Sequence, residues 1–393
     1  MSRLLALLFG RLPLGWLQLT HRKGRFAGAI AGVGFADLLV FFQLGFVGAL
    51  GTSVERPYQA IQAEIILSAP ATRTLASGET LPLLRAQDAL TVPGVTAATP
   101  LYVGQLPMTL AGQPRVSLQV FGIVPSDAAA FWGPDVAAQA DRLALVDHAL
   151  IDLGTRQVAP VTFIAAAAGE APTFEAAGRT VTLAGAFSIG AGFESDGHLI
   201  VSDRTFGRLF PAMTAGAPQH VLLRTTPGVD PGAVQAALAA TLPALDTEVR
   251  ERDAAAAAER MFQTVERPVG MIFGFGAMMG MLVGMVIVYQ VLATDVADHL
   301  REYATFKAMG YRHRFFLGVI LEQALILAIA GFIPGSLVSI LIYRLLAGAT
   351  GLPLAMATDR LFFVFVGTLV VCVLSGAVAT RRLRAADPAE LFA

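Results

Sequence analysis

Few residues in this chain can do chemistry. It holds two lysines, Lys23 and Lys307. A phosphate-binding P-loop needs Gly-Lys followed by Ser or Thr, because that lysine reaches the β and γ phosphates. Lys23 follows Arg22 and Lys307 follows Phe306, so the sequence contains no such loop, and any ATPase must be another polypeptide. None of the six histidines has metal-ligand spacing to a second one, and neither His-Glu-x-x-His nor Gly-x-Ser-x-Gly occurs. The single cysteine, Cys372, lies in an apolar run and can build neither an intrachain disulfide nor a cysteine metal cluster. The nearest constellation is Glu194, Asp196 and His198, whose alternation would put them on one side of an extended segment, able to hold a cation. With Gly192 and Gly197 flanking them, they read instead as a solvated loop. No catalytic, cofactor-binding or metal residue is therefore expected. Two acids are different in kind. Asp37 and Glu322 lie inside apolar stretches, where a charged group costs about 2.5–3.5 kcal/mol at a helix centre and turns to the protein interior, a polar cavity or a partner. A packing role is the simpler reading of both.

The elements that carry these residues follow from composition. Of 393 residues 55% are hydrophobic and only 15% charged, with mean hydropathy +0.64. Soluble domains carry about 25% charge, and disorder needs low hydrophobicity with high net charge, so both classes are excluded. Neither the net charge of −1 nor the pI near 6.6 suggests a nucleic-acid surface. Four stretches reach the roughly 20 apolar residues that span a bilayer: 26–50, 268–294, 315–343 and 361–379. Between the first two lie residues 51–267, enough for a folded domain. The predicted fold class is an α-helical membrane protein with four transmembrane helices and a large α+β extracytoplasmic domain inserted between helices 1 and 2.

Basic residues orient it. Five lie in the N-terminal segment 1–25, four in the link 295–314 and three in the tail 380–393, against two, Arg344 and Arg360, in the link 344–360. Both termini are thus expected in the cytoplasm and 51–267 outside it, and the charge divides accordingly, −7 in 51–267 and +6 elsewhere. Trp16 and the helical spacing of Leu12, Trp16 and Leu19 make 1–25 an interfacial amphipathic segment. Within 51–267, strands are expected over 63–67, 116–123, 181–187 and 220–223, and helices over 81–90, 202–209 and 231–241. The Ala-rich segment 245–267 reads as a stalk helix running into the second membrane helix, with Pro268 permitting a bend.

Gly270, Gly274, Gly276, Gly280 and Gly284 give overlapping Gly-x-x-x-Gly pairs, which let helix backbones approach closely, within the chain or across a dimer. In the link 295–314, a helix ended by Gly310 presents Leu300, Tyr303, Ala304, Lys307 and Ala308 on one face able to sit in a groove of a cytosolic partner.

These residues resemble a family. One membrane helix, a large outer domain and three more helices is the layout of the MacB/FtsX-type (type VII) ABC transporter permeases. Arg301–Tyr311, then Glu322-Gln323 and Gly331–Gly335, resembles the DevC-like branch, as do Trp16–Leu19, Phe35–Asp37, Gln43–Gly45 and Ala386–Glu390. The resemblance implies a homodimeric inner-membrane permease with no cofactor of its own, working with a separate ABC ATPase subunit that binds ATP and Mg, a periplasmic membrane-fusion adaptor and a TolC-like outer-membrane protein. It implies export of a lipid, glycolipid or other hydrophobic cargo from the periplasmic side, with 245–267 transmitting the ATPase cycle. Glu302, Tyr303, Ala304, Thr305, Phe306, Lys307, Ala308, Met309, Gly310 and Tyr311 would form the ATPase-coupling interface. The alternative is an FtsX-like regulatory subunit that controls a periplasmic partner and moves no cargo.

Overall fold

The computed structural model describes residues 14–76, 78–110, 112–213 and 217–385, with the side chains of 301, 304, 307, 308, 313 and 381–385 left out of the description. The first half of the amphipathic segment and the motif 386–390 therefore lie outside the described residues, as does the side chain of Lys307. The helices, in chain order, are α1 (Leu14–His21), α2 (Lys23–Ala60), α3 (Leu84–Leu90), α4 (Pro160–Ala168), α5 (Asp203–Leu209), α6 (Pro231–Thr241), α7 (Arg252–Met261), α8 (Pro268–Asp298), α9 (Leu300–Ala308), α10 (His313–Thr350) and α11 (Thr358–Ala385), with short helical turns over 125–143. The strands are β1 (Ile65–Ser68), β2 (Val95–Met108), β3 (Val116–Ile123), β4 (His148–Asp152), β5 (Thr173–Ala176), β6 (Arg179–Phe187), β7 (Gly197–Ser202), β8 (His220–Thr225) and β9 (Glu248–Glu251).

The chain divides into two units. One holds Met1–Gly48, Met271–Leu345 and Leu354–Ala393; among its described residues, α2, α8, α10 and α11 are the four helices long and apolar enough to cross a membrane. The helices outrun the apolar stretches that announce them. α2 continues ten residues past Leu50, through Pro57, and α10 and α11 leave a link of only 351–357 where the sequence suggested 344–360. The hydrophobic run marks where lipid ends, and backbone hydrogen bonding carries the helix on beyond it.

The second unit, Ala49–Gly270 with Leu346–Pro353, is the α+β domain. Its nine-stranded sheet runs β5-β6-β4-β7-β3-β2-β8-β1-β9, with β3–β7 and β4–β6 parallel and the other pairs antiparallel. β2 is the seam: Val95–Leu101 pairs with β8, and Tyr102–Met108 with β3. Apolar side chains alternating along β3, β6 and β7 fill one core cluster around Leu118, Val120, Leu183 and Leu199, while β1, β8, α3 and α6 enclose another around Ile65, Val221 and Leu238. A third cluster joins Phe121, Phe131, Trp132 and Leu150 to Tyr58 and Ile61 at the end of α2.

The segment 245–267 is not one helix. Glu248–Glu251 forms the edge strand β9 on β1, α7 covers only Arg252–Met261, Phe262–Glu266 is a π-helical turn, and Arg267 is extended before α8. Edge strands are commonly charged to discourage pairing with other chains, so the composition of Glu-Val-Arg-Glu, read as solvated helix, suits the edge equally well. Asp203–Leu209 starts where predicted because the Ser202 Oγ accepts from the Thr205 amide, a helix N-cap.

Candidate functional site

α9 is short and sits between α8 and α10. Gly310, at φ +92°, ends it, a backbone conformation natural to glycine, and the amides of Met309 and Tyr311 return to the carbonyls of Thr305 and Phe306. Its hold on the bundle is a polar seat assembled from four elements. Gln18 of α1 is the hub: its Oε1 accepts from the Tyr303 hydroxyl at 3.1 Å and from Gln323 Nε2 of α10 at 3.0 Å. Gln323, fully buried, donates its second hydrogen to Asp295 Oδ2 of α8 at 2.6 Å. Glu322 Oε1 accepts at 3.3 Å from the Trp16 amide in the first turn of α1, where unpaired helix donors favour a carboxylate. Gly15 makes this approach possible, since a Cβ there would stand 3.0 Å from the Val319 carbonyl oxygen. Arg22 and Arg25 both pair with Asp298 at the end of α8.

This seat puts Tyr303 of the expected docking face inside the bundle. Tyr303 is 3% exposed, packs edge-on against Phe316, and shares a cluster with the partly buried Leu300 and Phe306. Burial pushes the Tyr303 phenol well up, which keeps it a hydrogen-bond donor to Gln18. At Leu300, Tyr303 and Phe306 the apolar side chains of α9 serve its own bundle, as in an amphipathic juxtamembrane helix. Glu302, Thr305, Met309 and Tyr311 are on the outside, Met309 at 61% and Tyr311 at 46% exposure. Of the seat, Gln18 and Gln323 stood inside motifs quoted above, but pairing residues 305 apart is not a signal that spacing carries; Asp295 had no signal at all.

Asp37 lies in a narrow crevice between α2, α8 and α11, beside Gly280, Gly284 and Thr368. Its Oδ1 is 2.6 Å from the Thr368 hydroxyl, while its buried Oδ2 has no hydrogen-bond partner among the described residues. Asp37 thus ties α2 to α11. Asp37→Asn, which keeps a carbonyl for Thr368, is expected to accumulate and unfold like wild type; Asp37→Leu removes the tie between α2 and α11 but leaves the Thr368 hydroxyl on the Val364 carbonyl at 2.9 Å, so it should cost only about 0.5–1.5 kcal/mol, and thermal unfolding in nanodiscs checks both.

The glycines sort by neighbour. A Cβ at Gly276, Gly280 or Gly284 would meet Gln43, Val40 or Ala36 of α2 within 3.0 Å, so these three form the α2–α8 contact within the chain. Gly274 faces open space, and Gly270 sits against the Thr264 carbonyl. A tighter crossing, not expected from the sequence, joins Gly34 of α2 to Gly331 and Gly335 of α10, where a Cβ on Gly335 would stand 2.8 Å from a backbone oxygen. Gly335→Ala is expected to cost about 1–3 kcal/mol and Gly274→Ala essentially nothing, measured by the same unfolding assay.

In the α+β domain, Glu194, Asp196 and His198 do not converge. His198, buried at the start of β7, stacks on Phe121 and places Nδ1 3.0 Å from Asp152 Oδ2. Burial pushes the Asp152 carboxyl up, but the His198 contact and the amides of Gly154 and Ile189 outweigh it and hold the carboxyl below its ordinary range. Asp196 accepts from the Ser117 amide and faces Arg156; Glu194 is held by Gln263 and Arg267. Glu194 and Asp196 lie in the loop before β7, as expected, while His198 is buried in the strand. Among the described residues no group of His, Cys, Asp and Glu is arranged to hold a metal ion. One carboxyl stands out: Glu259 of α7, 4% exposed, accepts from the Tyr58 hydroxyl and the Leu75 amide, both at 2.7 Å, and burial pushes it up to about 7.

Residues 274–388, from α8 through α11, match the FtsX-like permease C-terminal family. This stretch is thus similar to the FtsX-like permease C-terminal domain, and the seat of α9 lies within it apart from α1. No curated protein matches the sequence. Among solved structures, the periplasmic region of MacB from Actinobacillus actinomycetemcomitans is similar at 12% identity and TM-score 0.36, over 50% of this chain and 92% of that one. The extracellular domain of the noncanonic ABC-type transporter YknZ from Gram-positive bacteria gives 12% and 0.30 over 48% and 99%, and a domain of a putative permease from Porphyromonas gingivalis 14% and 0.29 over 49% and 88%.

Proposed function

We propose that this chain is the permease subunit of an ATP-driven exporter of the MacB/FtsX type, in its DevC-like branch, residing in the inner membrane with both termini cytoplasmic and the α+β domain periplasmic. The observation that carries the reading is the FtsX-like match over α8–α11 together with a short helix, α9, seated by Gln18, Asp295 and Gln323 so that its outer face is presented. With no P-loop in the sequence, ATP and Mg belong to a separate ABC ATPase, which docks on the segment 302–311. Because Tyr303 and Gln323 share one acceptor, force applied to α9 passes at once to α1, α8 and α10. From α8 it reaches the domain through Arg267, the π-helical turn and α7, whose Glu259 grips Tyr58 of α2. Two copies of the chain, a membrane-fusion adaptor and a TolC-like duct complete the machine, and the cargo is an amphiphile such as a lipid or glycolipid taken from the periplasmic side.

The test is reconstitution of the chain with the P-loop ATPase recovered from its native host, in nanodiscs, measuring ATP hydrolysis and release of labelled glycolipid. Stimulated hydrolysis with adaptor-dependent release supports the reading. Stimulated hydrolysis that activates a periplasmic hydrolase, with no release, replaces it with the FtsX-like regulatory role.

A further inference from the structure

Gln119 lies in the middle of β3, in register with Gln105 of β2 and His198 of β7, on the same side of the strand as Phe121. It is 5% exposed, and its Nε2 has no hydrogen-bond partner among the described residues. An amide donor left unpaired in a buried place costs about 1–3 kcal/mol, so it marks a place where something else supplies the acceptor. Gln119 lines a crevice of about 410 Å³, its open mouth included, whose polar side also carries Glu259, Ser195 and His198 and whose apolar side includes Leu50 and Val54 of α2. Glu259 offers the complement. Both of its hydrogen bonds among the described residues fall on Oε2, leaving Oε1 for a further donor.

The missing group must accept from an amide and donate to a carboxyl. An ammonium cannot accept, and a carboxylate or phosphate would face Glu259 and Glu194. A hydroxyl does both. Next to the crevice, and sharing Ala76 and Glu194 with it, is a wider cleft of about 1390 Å³, open to the outside. The crevice between Gln119 and Glu259 would take a hydroxyl-bearing arm, with the remainder of a polyol head in the cleft.

We propose that the crevice between Gln119 and Glu259 is a binding site for a hydroxyl of a polyol head group, belonging to the amphiphile that the chain handles. The site deepens the export reading and rests on it for the identity of the amphiphile, but its occupancy is read without any ATPase. Water supplies the same chemistry, and the test separates the two sources. The full chain in nanodiscs is photolabelled with octyl β-glucoside carrying a diazirine in its alkyl chain, and with the same probe permethylated, which accepts hydrogen bonds but cannot donate them.

Labelling is expected on peptides spanning 50–57 and 192–195, falling about three- to tenfold with the permethylated probe and in Gln119→Leu, the ratio of one neutral hydrogen bond. Gln119→Glu, which keeps the length and removes the donor, should lose as much and serves if Gln119→Leu fails to fold. Equal labelling by both probes, labelling unaffected by either variant, or no labelling of these peptides, the result if water alone fills the crevice, overturns the proposal. If labelling behaves as expected but no ATPase is stimulated, the site stands and the export reading fails.

Discussion

Met309→Asp and Tyr311→Asp, made together, are expected to abolish stimulation of the partner ATPase while leaving the chain folded and inserted. Both side chains stand on the outer side of the α9 turn, where a charge meets water; Tyr311 also packs on Phe306 and Phe315, so its replacement costs the fold about 1–3 kcal/mol. On the proposed docking the same positions would be apolar and aromatic anchors, and truncating such an anchor costs about 2–4 kcal/mol, or roughly thirty- to a thousandfold in affinity. Tyr303→Asp is the contrasting variant. It sets a carboxylate beside Asp295 and removes the donor to Gln18 in a place 3% exposed, so the chain should fail to accumulate. Tyr303→Phe deletes only the hydroxyl and should fold with a loosened seat. ATPase assays on reconstituted complexes, with size-exclusion profiles of each variant, check the set. Wild-type stimulation by the 309/311 double variant would remove the outer face of α9 from the interface.

The second large effect is on the pH dependence of the α+β domain. Glu259, pushed up to about 7 from 4.5, contributes stability that is full below pH 4.5 and lost as pH rises to about 7, since the folded state holds its proton more tightly than the unfolded chain. His220 of β8 works in the opposite sense. Burial pushes it down to about 4 from 6.5, so its contribution is full above pH 6.5 and lost as pH falls toward 4. Each shift corresponds to about 3 kcal/mol. Both groups hold the same residue, Glu259 accepting from the Leu75 amide and His220 placing Nε2 3.2 Å from the Leu75 carbonyl. Wild type should therefore be nearly flat between pH 4.5 and 6.5. Glu259→Gln should gain about 3 kcal/mol across that window, and His220→Gln, which can still accept from Ser68 and donate to Leu75, should lose about as much between pH 4.5 and 7. Hydrogen exchange of the β1 and β8 amides in the nanodisc-embedded chain measures all three, and parallel curves would refute the assignment.

The membrane helices were legible because a 20-residue apolar run has few other uses, and β3 and α6 because their patterns are uninterrupted. β2 was not. Pro100 and Pro107 normally argue against an interior strand, yet Pro100 is accommodated where β2 changes partner from β8 to β3 and Pro107 one residue before the strand's end, opposite Ser117. β9 was hidden by charges that suit an edge strand as well as a solvated helix. On α9, the period located the helix and its glycine stop but not which way its apolar face points, because a bundle and a partner groove ask for the same pattern. The seat beneath it joins residues 285 and 305 positions apart, a pairing that only the fold brings together.

The most direct measurement of the central claim is site-specific photocrosslinking in the native host, with the crosslinker placed in turn at Met309, Tyr311 and, as an inward-facing control, Phe316. A crosslinked P-loop ATPase is expected from Met309 and Tyr311 and none from Phe316. Absence of any ATPase at the two outer positions, with the chain present and folded in the membrane, would contradict it.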